Sequence, residues 1–275
     1  MKGDKRQVRS GARTRSVSRN GVRLVYTDVG HGDPPIVLIH GWCCDRTHWE
    51  NQIRALSVDH RVIALDLRGH GDSDKPDQDY DMQGFVSDTL WLLDQLGVMP
   101  PPVLMGHSMG GVIALQMIRA RPAAFSGVVF VDSTLLPLAP DSRAVWDQLI
   151  TMLKAGDPVA WDLIGPAMFA GGDETQALQD TVVARMKLAP QRLQHSAIED
   201  HFLESSLPAG PLPIPGLAVQ AGFDAERQAA LAQRYPGLRV IGVASGHFVQ
   251  LERPMELNAH VADYLTLIVH ESEMG

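Results

Sequence analysis

Ser108 and His247 are the two side chains whose surroundings would let them do covalent chemistry together. Ser108 is the centre of Gly106-His107-Ser108-Met109-Gly110-Gly111, between the apolar run Val103-Leu104-Met105 and the helical pattern Val112-Ile113-Ala114-Leu115-Gln116-Met117-Ile118. That reads as a strand, a sharp turn and a helix. Glycines on both sides of the serine leave room for a strained turn that lifts the hydroxyl clear of a sheet. The helix N-terminus beneath it favours developing negative charge. A serine hydroxyl is a weak nucleophile at neutral pH. It needs a base, a carboxylate to orient that base, and amides to hold an oxyanion.

His247, in Ala244-Ser245-Gly246-His247-Phe248 beyond the last apolar strand, is the expected general base. His107 adjoins the serine and is expected to support the turn from behind. His195 and His201 fall in a helical stretch and read as surface or pocket-lining groups. Asp224 is the preferred orienting acid, because it follows the strand at 217–221 and lies between Ser108 and His247 in chain order. Asp132, after the strand at 127–131, is the alternative acid, or else a strand-end capping residue. On this ordering Asp224→Asn should lower kcat roughly 10²–10⁴-fold and Asp132→Asn far less. The amides of Met109 and of Trp42, in His40-Gly41-Trp42, are the expected oxyanion donors. Cys43 and Cys44 are adjacent and read as small buried hydrophobes, not as a nucleophile or a disulfide. This chemistry requires no metal and no organic cofactor.

The elements that must position these groups alternate. An Asn20-Gly21 turn predicts an opening hairpin. Apolar strands follow at 36–39, 61–65, 103–105 and 127–131, separated by helical patterns at 49–56 and 82–96. Strands divided by helices imply right-handed crossovers and a mainly parallel, twisted sheet flanked by helices, an α/β fold. The loop from Asp66 to Pro76 is turn-rich, and Asp66 and Arg68 are expected to pair inside it. After the sixth strand the alternation stops. Residues 135–210 are helical and too apolar for a linker, which predicts a helical cap inserted into the sheet domain. Trp146, Trp161, Met152, Met168 and Phe169 from that cap, with Trp42, are expected to line an apolar pocket. Strands at 217–221 and 238–243 and a helix at 256–269 complete the core. The expected organisation is a leader over 1–20, a core over 21–134 and 211–275, and a cap over 135–210.

Composition excludes several alternatives. The chain has 275 residues and a formal net charge of −8, yet residues 1–20 carry seven Lys or Arg against one Asp. The acidic excess therefore belongs to the body, which argues against nucleic acid as the main partner. The basic leader reads as a solvated, flexible extension. No apolar run approaches the length of a membrane span. No apolar segment follows Met1-Lys2-Gly3-Asp4-Lys5, so no secretory signal is expected, and a cytoplasmic location is. The expected partner is a partly apolar small-molecule substrate, and the sequence allows a homo-oligomer.

The motifs together resemble the α/β-hydrolase fold superfamily, in its serine-nucleophile members with a helical cap, over roughly residues 21–270. His40-Gly41-Trp42 is similar to that group's oxyanion loop. Asp66-Leu67-Arg68-Gly69-His70-Gly71-Asp72-Ser73 is similar to its Asp-x-Arg-Gly-x-Gly-x-Ser segment. The Ser108 turn resembles its nucleophile elbow, and Gly246-His247-Phe248 with Glu252-Arg253-Pro254 its histidine loop. Where the family has Gly-x-x-Asp, this chain has Gly222-Phe223-Asp224, one residue shorter. The resemblance implies a serine hydrolase that cleaves a carboxylic ester or lactone through an acyl-enzyme. Dehalogenases and epoxide hydrolases of the superfamily carry aspartate at the elbow, unlike Ser108. Carbon–carbon bond hydrolases, perhydrolases, cofactor-free dioxygenases and non-catalytic small-molecule binding proteins are the alternatives on the same fold.

Overall fold

The opening hairpin is where Asn20-Gly21 places it. Strand β1 (Arg13–Arg19) pairs antiparallel with β2 (Val22–Val29), with Arg19 opposite Val22. Both turn residues take positive φ, 50° and 80°, as a two-residue turn matching strand twist requires. The computed structural model describes residues 13–171, 173–203 and 206–274. Residues 13–19 of the expected leader are thus a strand. The remainder of that leader, 1–12, lies outside the described residues.

The strands β3 (Ile36–Ile39), β4 (Val62–Leu65), β5 (Val103–His107) and β6 (Gly127–Val131) are buried at every position. Both of their faces are covered, which is why they read as unbroken apolar runs and not as alternation. With β7 (Gly216–Ala221) and β8 (Arg239–Val243) they form an eight-stranded sheet in the order β1-β2-β4-β3-β5-β6-β7-β8. From β4 to β8 all pairings are parallel. On one face Val37, Ile39 and Leu104 pack with α2 (Met82–Gln95) and α3 (Met109–Ala120). On the other, Ile36, Leu38 and Met105 pack against Leu257, Val261 and Leu265 of α10 (Pro254–Met274). Strand order reverses at β3, so the loops leaving β3 and β5 diverge at the carboxyl edge. A crevice opens there in doubly wound sheets.

Among the described residues, the α-helices between β6 and β7 are α4 (Pro140–Ala155), α5 (Val159–Ala167), α6 (Asp173–Met186) and α7 (Gln191–His201). Pro140 starts α4, where its missing N–H costs nothing, and Gly156 ends it in the left-handed conformation. α6 has no apolar stripe strong enough to mark it apart in the sequence. The layer is tied to the sheet domain by polar contacts. Trp42 Nε1 donates to the Gln194 carbonyl, and the Met82 amide at the start of α2 donates to Asp200 Oδ2 at 2.8 Å. Among the described residues no helix is long and apolar enough to cross a membrane.

One expected contact is different. Asp66 does not pair with Arg68. Its carboxylate is turned under Gly71, where a Cβ would collide with it, and accepts from the Arg46 and Asp72 amides at 2.7 and 2.8 Å and from the Arg46 side chain. Arg68 points the other way, to Asp88 of α2, at 2.5 and 2.7 Å.

Behind the serine turn the backbone approach is tight at Gly110, whose added Cβ would run into the Ile39 and His40 carbonyls, whereas at Gly97 it would meet nothing within 4 Å. Gly97 has φ +53°. Gly97→Ala should therefore cost only the left-handed backbone penalty, about 1 kcal/mol. Gly110→Ala should cost about 3 kcal/mol through overpacking against backbone that cannot rotate away. Urea unfolding of both variants measures the difference, and equal losses would contradict this account.

Candidate active site

Ser108 has φ 52° and ψ −119°, a conformation that side chains rarely adopt. The surrounding backbone imposes it. The Ser108 amide donates to the Val131 carbonyl at 3.0 Å, and the Gly111 amide donates back to the Ser108 carbonyl at 3.0 Å. A Cβ at Gly106 would strike Gly110, and one at Gly111 would strike Ser133. The serine stands at the N-cap of α3 but makes no capping bond with its side chain, so the hydroxyl is not consumed by the helix. Helix α3 is buried from Met109 to Ile118, which aims its N-terminus without leaving it free to shift.

His247 lies in the turn between β8 and α9 (Val249–Glu252). Its amide donates to the Met168 carbonyl at 2.8 Å, and the preceding Gly246 amide donates to Glu252 Oε2 at 3.0 Å. The ring is 2.6 Å from Asp132, Nδ1 to Oδ2. An ionised carboxylate only accepts, so Nδ1 carries the hydrogen, and in the neutral ring the lone pair is on Nε2. Asp132 Oδ1 accepts the Ala221 amide at 3.0 Å and faces Arg227 Nη2 at 3.4 Å. Burial by itself would push the Asp132 carboxyl up, but the His247 hydrogen bond and charge, then Arg227, outweigh it and hold the carboxyl below its ordinary range.

The carboxylate against His247 is thus that of Asp132, the alternative candidate, and not that of Asp224. Asp224 is exposed, and its Oδ1 accepts the Arg227 amide at 3.0 Å as the N-cap of α8 (Ala225–Arg234). The cause is the shortened spacing. Gly222, with φ +76°, donates its amide to the Val243 carbonyl at 2.7 Å and keeps the chain beside β8 for one more residue. The carboxylate then arrives at a helix start. Asp132, in contrast, leaves β6 with φ 37°, and its side chain reaches the His247 ring.

Ser108, Asp132 and His247 line one cavity of about 630 Å³. Trp42, Trp146, Met152 and Met168 line it as expected. Trp161 and Phe169 do not. Trp161 stacks behind Trp42, with ring centres 5.2 Å apart at 9°, and Phe169 stacks on Phe248 at 5.0 Å. They support the wall from a second layer. Met186, Ile198, His201 and Phe202 are also in the lining. Leu193, Ala197, Ile198 and His201 share the buried stripe of α7, a helical spacing visible in the sequence. Among the described residues the lining contains no Lys or Arg. Trp42 and Met109 are buried, and their amides make no hydrogen bond among the described residues.

The other sequence candidates fall around this cavity. His107 is buried, and its Nε2 donates to the His247 carbonyl at 2.9 Å, 4.6 Å between ring centres. Burial, then the neighbouring His247, push its basicity well down. His201 is pushed down to about 3 by burial and His247. His195 is half-buried on α7 and does not line the cavity. Cys43 and Cys44 are free and buried, with thiols pushed up by burial. Among the described residues no three His, Cys, Asp or Glu side chains converge as a metal site would need.

A family model described as the alpha/beta hydrolase family matches residues 36–260. The dihydrolipoyllysine-residue acetyltransferase component of the acetoin cleaving system of Pseudomonas putida is 30% identical over 247 residues, 86% of this chain and 64% of that protein. The chain thus spans less than two thirds of the length of curated relatives it matches. A thermophilic esterase from Thermogutta terrifontis superposes with a TM-score of 0.78 at 23% identity, covering 94% of this chain and 99% of that one. The enol-lactonase from Burkholderia xenovorans LB400 gives 0.78 at 23%, covering 92% and 100%. At these identities the two structures share the fold.

His201 makes the protein acid-sensitive in a defined window. Its folded-state value of about 3 lies below the unfolded value of about 6.5, so between those limits the unfolded chain binds the extra proton. Stability is then intact above about pH 6.5 and falls as the pH drops toward 3. From pH 7 to pH 5 this group alone should remove about 2 kcal/mol. Urea unfolding at both pH values should show a smaller loss for His201→Phe than for wild type by about that amount. Equal losses would place the His201 charge cost elsewhere.

Proposed function

Given that this chain belongs to the alpha/beta hydrolase family, we propose that it is a serine hydrolase acting on neutral, largely apolar carboxylic esters or lactones. The observation that carries this reading is the 2.6 Å contact of His247 with buried Asp132, in the same cavity as a serine held at positive φ. Ser108 Oγ attacks the carbonyl carbon while His247 Nε2 takes its proton. Asp132 fixes the imidazole tautomer and stabilises the imidazolium that forms. The Met109 and Trp42 amides hold the oxyanion. The protonated His247 then gives its proton to the leaving alkoxide, which departs as an alcohol or, from a lactone, stays attached as the opened chain. Water, deprotonated by His247, attacks the acyl-enzyme; as the second oxyanion collapses and the bond to Oγ breaks, His247 gives that proton to Ser108 Oγ and the acid is released. A neutral substrate is favoured because the cavity walls carry no Lys or Arg, while Trp42, Trp146, Met152, Ile164 and Phe202 offer apolar contact. A substrate carboxylate would enter without a countercharge.

Two measurements test the reading. A fluorophosphonate should form an adduct on the peptide containing Ser108 and on no peptide of Ser108→Ala. A folded wild type that stays unlabelled at Ser108 would remove the mechanism. With one activated ester at fixed pH, Asp132→Asn should lower kcat roughly 10²–10⁴-fold, and Asp224→Asn less than about tenfold, because it loses only a helix cap. The reverse order would return the orienting role to Asp224.

A further inference from the structure

Asp132 is gripped from two sides. The His247 imidazole holds Oδ2, while the Ala221 amide at 3.0 Å and the Arg227 guanidinium at 3.4 Å hold Oδ1. Arg227 is the third residue of α8, and its own amide is seated on Asp224 Oδ1. The shortened turn after β7 therefore takes one carboxylate away from the histidine and brings a cation to the carboxylate that replaces it. The Asp132 side chain is 7% exposed and that of Arg227 37%, so a partly exposed guanidinium is paired with a buried carboxylate.

We propose that Arg227 is a positioning residue for the Asp132–His247 couple, locking the carboxylate with Oδ2 toward the imidazole and countering part of its charge. The inference rests on the hydrolase reading for its kinetic consequence, but not for its electrostatics. A carboxylate held on one oxygen by an amide and a guanidinium cannot rotate to exchange its oxygens without breaking both contacts. A fixed cation beside it also offsets part of the negative potential that would otherwise retain a proton on the ring. The other ionisable groups around His247 do not supply that cation. His107 from β5 and His201 from α7 are kept neutral by burial. Glu252 from α9 accepts the Gly246 amide and is an anion. His48, from the 3-10 turn Arg46–Trp49, stacks on the far side of Phe248 and faces Asp45. On α8 itself, Asp224 and Glu226 are acidic.

The test follows the His247 ring resonance by NMR across pH 4–9, in wild type, Arg227→Gln and Arg227→Lys. It is paired with the acid limb of kcat/KM for one neutral ester. In Arg227→Gln both midpoints should move up by about half a pH unit, with less than about a tenfold change in the kcat plateau. Arg227→Lys should stay close to wild type. Because the guanidinium is partly exposed, 0.5 M salt should shrink the shift. Arg227→Met, which keeps the aliphatic stem, repeats the measurement if the glutamine variant is unstable. An unmoved resonance, or a lysine variant that shifts as far as glutamine, overturns the proposal. The NMR titration also runs on Ser108→Ala, so a protein that turns over no ester would defeat the hydrolase reading and leave this inference standing or falling on its own midpoint.

Discussion

Three backbone segments meet behind Ser108 with no room for a side chain between them, and the rest of the site follows from that approach. Gly110 lies against the Ile39 and His40 carbonyls, Gly106 against Gly110, and Gly111 against Ser133. A positive φ at a non-glycine residue costs about 1–2 kcal/mol, and no local preference of serine repays it. It persists because the β3–β5–β6 register is over-determined, with Ile39 opposite Gly106 and His107 opposite Val131, and because each strand is buried on both faces. The same register sets where Trp42 leaves β3 and where Asp132 leaves β6. The position of the serine, of the loop beside it and of the carboxylate is one geometric statement about three adjacent strands.

The helical layer is joined to the same edge by a few directional contacts. Gln194 is the pivot: its carbonyl takes the Trp42 indole N–H, and its side-chain oxygen takes that of Trp161, both at 3.0 Å. The two indoles stack as a result, and the cavity wall is two rings thick. On the opposite side, the residue that ends α5 supplies the carbonyl for the His247 amide, while Glu252 Oε2 accepts the amides of Gly246 and Ala170. The histidine turn is therefore fastened to the inserted layer as firmly as to the sheet. Movement of α5 relative to the sheet would carry His247 with it.

The sheet, the serine turn and the histidine turn were legible because each rests on a short local pattern. Gly-x-Ser-x-Gly between an apolar run and a helical period has one comfortable backbone solution, and Val-Ile-Leu runs of four or five residues have few. The partner of His247 was not legible in the same way. Asp132 and Asp224 both follow a strand, and the choice depends on whether Gly222 continues beside β8, a long-range pairing with no local signature. Trp161 and Phe169 failed for a related reason. Helical spacing identifies a buried face but not whether that face meets a cavity or another aromatic ring. Arg46 in place of Arg68 as the partner of Asp66 is the same lesson among charges, since proximity in sequence is a poor guide once a turn reverses the side chain.

The carboxylate that meets His247 departs from β6, and this changes what the turn between β7 and α8 is required to do. Position 224 there begins a helix, a role that serine, threonine or asparagine fills nearly as well as aspartate. Position 132 has less latitude, since it accepts from an imidazole and an amide while facing a guanidinium. Over evolutionary time the two sites should diverge in tolerance: drift at 224, near-invariance at 132.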